Sequence, residues 1–550
     1  MIAAAALLAA PVAALLAGPA MIGEHVLDFE SPMDEDSIQV VRLDESPPPR
    51  VEDGALVLTS PQREKRESRV VVFQRALIPG RPAVIEASFT FRTGRGAQGF
   101  CFLLTTPATA VTSGLTAWEE PSLPATLGIG FDTYDPPTSH WFDSNGNHYG
   151  RTQAQVSVHW DGAELHNAAS PVDFTDGKPH RAAVRVEQVA GGAFIDVSID
   201  DEPAHERAFV PGLDYPGGAF GFGARTGNLT IPVTLDDVRV AWPESLDAPT
   251  QPVTTMLFED ALFHAESQEA ERDVVLPPLP ESCERVLLHL RLEAPPGGFD
   301  PWDRGGSIGA IDDEGRLVEL ARFITPFGAG AHWTADVTDL RELLHGERRF
   351  RLQVDTWMEE ADDPSAQKGW QVDAWIEAFA GTPAPPVLAV VPLWSGRPGW
   401  GDPDKPVAEF YQPLDIAVPE GARAARLALN VTGHGMGTNG GAEFLAARRV
   451  LTINGTAHED VLWREDCWLN PLRVQTGTWK FDRAGWCPGE VVPPWEIDLT
   501  PFIDAKDLRL EYALPDAYVN DEREEMPAIH WTQGHVVFLA HDHSPTGATP

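Results

Sequence analysis

Apolar and polar side chains alternate with a period of two along most of this chain. Residues 83–92 (AVIEASFTFR), 125–133 (ATLGIGFDT) and 156–160 (VSVHW) read as strands on that pattern, because successive side chains of an extended chain point to opposite faces. Residues 182–189 (AAVRVEQV) and 193–200 (AFIDVSID) flank Ala190-Gly191-Gly192, a hairpin signal of β-branched alternation around a glycine turn. A second hairpin is expected between residues 307–311 and 317–323, turning at Asp312-Asp313-Glu314-Gly315. Helical spacing is scarce. Residues 336–346 (DVTDLRELLHG) are its best case and predict a short capped helix or turn. Many short strands bounded by turn residues, without a fixed-period repeat, predict an all-β protein built of sandwiches or jelly rolls.

Two polar, proline-containing breaks divide this pattern, at residues 242–255 (WPESLDAPTQPVTT) and 381–387 (GTPAPPV). They predict domains over 24–245, 253–382 and 387–545, each of a size that one sandwich core can fill. The apolar fraction is 43% and the charged fraction 22%, which excludes wholesale disorder. With 41 basic against 82 acidic residues, the formal charge of −41 repels phosphate backbones and anionic lipid head groups. No nucleic-acid partner is expected; the charge reads as a solubility device. Residues 1–20 (MIAAAALLAAPVAALLAGPA) are apolar and end on Gly18-Pro19-Ala20, so they read as a signal peptide, although without the usual basic start. No later run approaches the roughly 20 apolar residues a membrane span needs. The mature chain is therefore expected to be secreted, extracellular or periplasmic, without a membrane span, and a monomer.

Over most of 25–245, four runs resemble the legume-lectin-like, concanavalin A-type fold. They are residues 97–102 (AQGFCF), 130–134 (GFDTY), 143–150 (DSNGNHYG) and 220–224 (FGFGA). The resemblance implies an N-terminal sandwich with a Ca²⁺ cage formed by Asp132, the Tyr134 carbonyl and Asp143. His148 falls on the family's transition-metal histidine, but Gly130 stands where that family has glutamate, so no transition metal is expected. Gln98 replaces the family's sugar-gripping aspartate. From the residues alone, Asp132, Asp143 and Asn145 read equally as turn-satisfying side chains. This domain is expected to dock glycans or its neighbour rather than to catalyse.

Beyond residue 300 the motifs become more specific. Trp302-Asp303-Arg304 is followed by residues 322–327 (RFITPF), 336–339 (DVTD) and 354–357 (VDTW). Residues 431–435 (VTGHG), 441–444 (GAEF) and 482–489 (DRAGWCPG) then appear in the last piece. In this order and spacing the set resembles the peptide:N-glycosidase F family over about 253–545, which implies two tandem antiparallel jelly-roll β-sandwiches. Members hydrolyse the amide between an asparagine side chain and the first N-acetylglucosamine, leaving aspartate. N-glycoproteins or N-glycopeptides are the implied substrates, and no cofactor is implied for catalysis. The resemblance places the principal carboxylate at Asp303 and a second at Glu443, with Asp355 where the family carries a glutamate that contacts the glycan core. Asp303 is expected on the amide-nitrogen and sugar side and Glu443 at the water; which of them takes the proton is left open. Trp302, Trp357 and Trp486 are expected sugar-stacking faces, each against a reading as plain core. Arg304 and Arg483 are expected hydrogen-bond forks, and His434 stands at a family tryptophan.

The same resemblance pairs Cys467 with Cys487, while Gly441 and Leu445 stand where another of the family's bridges would be. A bridge of that span stabilises by roughly 3 kcal/mol on the chain-entropy model. Cys101 and Cys283 lie in different predicted domains and are expected as buried free thiols. Against a secreted amidase stand two other readings. One is a non-catalytic glycan-binding protein, which Asp355, His434 and Gln98 would favour. The other is a generic structural sandwich, which leaves the ordered motifs unexplained.

Overall fold

The period-two segments pair into antiparallel sheets that form three two-sheet sandwiches in chain order. The computed structural model describes residues 23–30, 38–42, 48–59, 68–94, 97–106, 119–133, 153–226, 232–243, 245–247, 249–358, 361, 363, 366–523 and 525–541. Residues 1–20, Tyr134 and Asp143 lie outside that set.

In the first sandwich an eight-stranded sheet faces a seven-stranded one among the described residues. Aromatic side chains from both fill the space between, with Phe89, Phe100, Phe131 and Phe222 all buried. Phe100 and Phe131 stack in parallel at 4.6 Å, a cross-strand pair set by their register. The expected hairpin forms between Asp176–Val189 and Gly192–Ile199, with Val189 opposite Gly192 and a positive φ of 78° at Gly191. Its tip abuts the second sandwich. The amide of Ala190 donates to Glu284, and Arg285 lies over Phe209 and Phe194.

The second sandwich packs the sheet of Val253–Phe263, Trp370–Ala380, Cys283–Glu293 and Ala331–Asp336 against a second sheet. That second sheet contains Glu269–Leu276, Gly346–Val354, Gly305–Ile311 and Leu317–Ile324. The last two strands are the second expected hairpin, closing at Ile311 opposite Leu317. The helical signal at 336–346 becomes a six-residue 3₁₀ turn, Thr338–Leu343, started by Asp336, whose carboxylate accepts from the Thr338 amide. Only Leu340 and Leu343 reach the core from it, too few to support a longer helix.

The third sandwich repeats the two four-stranded sheets over Val387–Leu539. Val387, Ala424, Val537 and Leu539 from it join the core of the second sandwich, so one apolar seam runs through both. At that seam Arg322 is fully buried and pairs with Glu319 at 2.9 Å. It donates across to the Trp531 carbonyl at 2.5 Å and to Thr432 at 3.2 Å, while Asn430 donates to the other oxygen of Glu319. Beside it the edge strand Leu317–Ile324 is stitched to the loop at 489–492 through Val492 N to Arg322 O and Ile324 N to Glu490 O. Among the described residues no helix is long and apolar enough to cross a membrane.

Cys467 and Cys487 are bridged, and Cys101 and Cys283 are free and buried. Thiol titration in denaturant without reductant is expected to give two thiols per chain, rising to four after reduction. Four thiols before reduction would contradict the pairing.

Candidate functional site

The site lies where the second and third sandwiches meet, and its residues come from irregular segments held by strands. Asp303 follows Asp300, which is fully buried and acts as a hub. The Asp300 carboxylate accepts from the Trp302 amide, from Arg304 at 2.7 Å and from the Thr356 hydroxyl at 2.8 Å. These bonds curl the segment before the strand Gly305–Ile311, so Trp302, Asp303 and Arg304 do not alternate as they would on a strand. Trp302 emerges 57% exposed, Arg304 turns inward, and Asp303 retains 14% of its side-chain surface.

Glu443 is supplied by the third sandwich. The strand Ala424–His434 runs into a turn in which Gly437, Asn439, Gly440 and Gly441 all have positive φ. At Gly441 (φ +54°) a Cβ would lie 2.3 Å from the Met436 carbonyl carbon, so only glycine allows this approach. The turn closes with the Glu443 amide on Gly435 O, and the Ala484 amide donates to Glu443 O. This ties Glu443 to the segment carrying Arg483.

Arg483 joins the two carboxyls. It is 1% exposed, with Nε 3.3 Å from Glu443 and Nη2 3.7 Å from Asp303. Its other donors go to Phe481 O, Thr478 O and Thr478 Oγ1, and Phe444 covers its face at 4.4 Å. One guanidinium thus faces two carboxyls in a buried place. Burial, and next the charge of Glu443, push Asp303 from 3.8 up to about 7 against the pull of Arg483. Burial also raises Glu443, again opposed by Arg483. Near neutral pH Asp303 is therefore poised between its protonated and ionised forms, so it can give up or take a proton. Asp303 Oδ2 is buried and makes no hydrogen bond to a described group. A buried acceptor left open in this way suits an incoming water or amide.

Asp355 lies alongside, its amide on Gly305 O at 2.8 Å. Arg397 holds both of its oxygens, at 2.9 and 3.0 Å, and Gln353 donates to it as well. Arg397 in turn lies 3.9 Å over the ring of Trp531. His434 stands near that ring, bonded to Thr432 and stacked on Trp486. Burial, reinforced by Arg322 and Arg397, lowers His434 to about 3, so it is neutral at ordinary pH.

Several expected contacts are placed differently from the sequence reading. Trp486 is 2% exposed and donates its indole N–H to Gly433 O at 2.7 Å, packing with Ile324 and Val492. Its rings are part of the wall under the site and present no open stacking face. Arg304 spends its guanidinium on Asp300, and Trp357 lies over it at 4.2 Å. The fork expected at Arg304 thus serves the loop and props Trp357, which is 70% exposed. Asp300, Arg397 and Trp531 escaped the sequence reading. The i,i+4 spacing of Asp300 and Arg304 was a weak signal for the first, and Arg397 and Trp531 carried none.

Of the expected Ca²⁺ ligands only Asp132 is described. It ends the strand Thr126–Asp132, is nearly buried, and is held well above the usual carboxylate range by burial and then by the charge of Glu119. Among the described residues no group of three His, Cys, Asp or Glu is set to hold a metal.

Residues 306–367 match the family model described as peptide-N-glycosidase F, N terminal, and residues 404–531 match the one described as its C terminal. Peptide-N(4)-(N-acetyl-beta-D-glucosaminyl)asparagine amidase F of Elizabethkingia miricola is 28% identical over 243 residues, 41% of this chain. The match spans 66% of that relative, just short of two thirds of its length. A crystal structure of a peptide-N(4)-(N-acetyl-beta-D-glucosaminyl) asparagine amidase overlays with a TM-score of 0.47 at 24% identity. That overlay covers 54% of this chain and 98% of the other. The exoplasmic/lumenal domain of VIP36, in its Ca²⁺/Man2-bound form, overlays at 0.30 with 15% identity, covering 41% of this chain and 90% of that one. Through its second and third sandwiches, the chain is similar to the peptide-N-glycosidase F family.

Proposed function

We propose that this chain is an amidase that releases N-linked glycans by hydrolysing the asparagine–N-acetylglucosamine amide. The observation that carries the reading is the buried trio Asp303–Arg483–Glu443, two carboxyls around one guanidinium with Asp303 pushed up to about 7. Water adds to the amide carbonyl carbon and gives up a proton to an ionised carboxylate. The C–N bond then breaks with proton delivery to the leaving nitrogen, giving an aspartate side chain and a glycosylamine, which later loses ammonia. Asp303 is assigned to the nitrogen and sugar side and Glu443 to water, with Arg483 stabilising negative charge as it develops. The exposed faces of Trp302 and Trp357 border the site and suit the apolar faces of sugar rings. The disulfide fits an oxidising compartment, extracellular or periplasmic. The competing reading, glycan binding without turnover, draws on Asp355 and His434 standing where the family has Glu and Trp.

On a glycopeptide followed by mass spectrometry, wild type is expected to convert asparagine to aspartate with release of the whole glycan. Asp303→Asn keeps the shape but cannot take a proton and should lose roughly 10²–10⁴-fold in turnover, with Glu443→Gln nearly as impaired. Asp355→Glu should keep or raise turnover by restoring the longer reach. No aspartate from any of several glycan types, or full activity in Asp303→Asn, overturns the reading.

Asp303 also links stability to pH. Its folded pKa, about 7, lies above the unfolded value of 3.8, so its contribution is fully present below the unfolded value and lost as pH rises through 7. Asp303→Asn should melt like wild type near about pH 4 and above it near about pH 9, by roughly 2–4 °C per kcal/mol gained. A difference that does not change with pH would contradict the burial of this carboxyl.

Ca²⁺ at Asp132 in the lectin-like sandwich is a separate proposal. An ion that binds only the folded domain raises its melting temperature. Identical melting with Ca²⁺ and with chelator would leave Asp132 a buried strand residue without an ion.

A further inference from the structure

The segment that delivers Arg483 to the site has little regular structure of its own. It runs from Cys467 to Cys487, with one 3₁₀ turn, Cys467–Leu469, at its start. Between there and Arg483 it holds its shape by side-chain bonds. Leu472 N donates to Asn470, whose amide donates to Pro488 O, and Gln475 donates to Leu472 O and Pro488 O. Phe327 and Thr476 clasp it from the second sandwich through Phe327 N to Gln475 and Thr476 N to Phe327 O. Thr478 then accepts twice from Arg483.

The outward side of the segment is held by the first sandwich. Arg473 places Nε 2.9 Å and Nη2 3.3 Å from the two oxygens of Glu164, and Nη2 2.9 Å from Gln155 Oε1. Glu164 lies on the strand Ala163–Ala169 at the edge of the seven-stranded sheet, and Gln155 on its neighbour Gln155–Trp160. Both acceptors are well shielded: the Glu164 side chain is 9% exposed and Gln155 1%. Asn167 orients Gln155 by donating to the same oxygen. A two-oxygen fork of this kind fixes direction as well as distance, which a lysine in the same place would not do.

We propose that the lectin-like sandwich is part of the active-site scaffold, with Glu164 and Arg473 as positioning residues that hold the Cys467–Cys487 segment and so aim Arg483 between Asp303 and Glu443. Neither touches the reacting groups; each acts through the segment. The proposal rests on the amidase reading for its kinetic consequence and on the fold alone for its structural one.

The test uses the full chain with Glu164→Gln, Arg473→Gln and the milder Arg473→Lys, each shown to melt cooperatively near wild type. Hydrogen exchange should report faster exchange confined to residues 470–483 in the two Gln variants, with the seam around Arg322 unchanged. On a short glycopeptide, kcat should fall about tenfold or more with KM nearly unchanged, since misplacing a charge-stabilising group costs rate rather than binding. Arg473→Lys should lie between the Gln variants and wild type in both measurements. If wild type cleaves nothing, the amidase reading fails, and the exchange data still decide whether the clamp orders the segment. Unchanged exchange overturns the proposal. So does a loosened segment with undiminished kcat, and so does a loss confined to KM, which would make this face a substrate-docking surface.

Discussion

The position of the site depends on a buried arginine. Arg322 sits in the seam between the second and third sandwiches with no exposed surface. A guanidinium taken out of water costs several kcal/mol, and the cost is offset only by a full set of well-aimed partners. Those partners come from both sides: Glu319 from its own strand, Thr432 and the Trp531 carbonyl from the facing sandwich, and the Trp531 ring at 4.4 Å. A slide of one sandwich on the other would strand the charge, so the arrangement specifies a single registration. Asp303 belongs to one side of the seam and Glu443 and Arg483 to the other, and their spacing is only as firm as that registration.

The site itself is a problem in charge balance. Two carboxyls around one guanidinium, shielded from water, cannot all be ionised cheaply, and the cost appears as the upward displacement of Asp303. Asp355 is held differently: it lies in the same region, and Arg397 engages both of its oxygens. The shorter aspartate is thus built into a local arrangement of its own, in which Arg397 stacks on Trp531 and Trp531 borders His434. Asp355, through Arg397, and His434 thus meet at one ring.

The first sandwich touches both of the others. Its hairpin tip meets Glu284 and Arg285, and its edge strand meets Arg473. Arg473 engages that edge through the side chains of Glu164 and Gln155.

Much of the fold was legible in the sequence because the signals for strands and turns are local. Alternation in residues 182–189 and 193–200 and the glycine between them suffice to pair those strands, whatever lies beyond. The break at 242–255 holds the two-residue strand Ser245–Leu246, and that at 381–387 lies between Trp370–Ala380 and Val387–Gly396. The ordered motifs likewise marked Asp303, Glu443 and Arg483, because residue type and spacing survive in the chain itself. Their relation to one another was not legible. Whether Trp486 stacks on a sugar or seals a wall, and whether Arg304 reaches outward or holds Asp300, depends on which side chains from distant segments arrive beside them. So does the upward shift of Asp303 beside Glu443. Periodicity is a property of neighbours along the chain; burial, and the pKa shifts and ion pairs that follow from it, are properties of neighbours in space, and only the packing of one sandwich on another creates those.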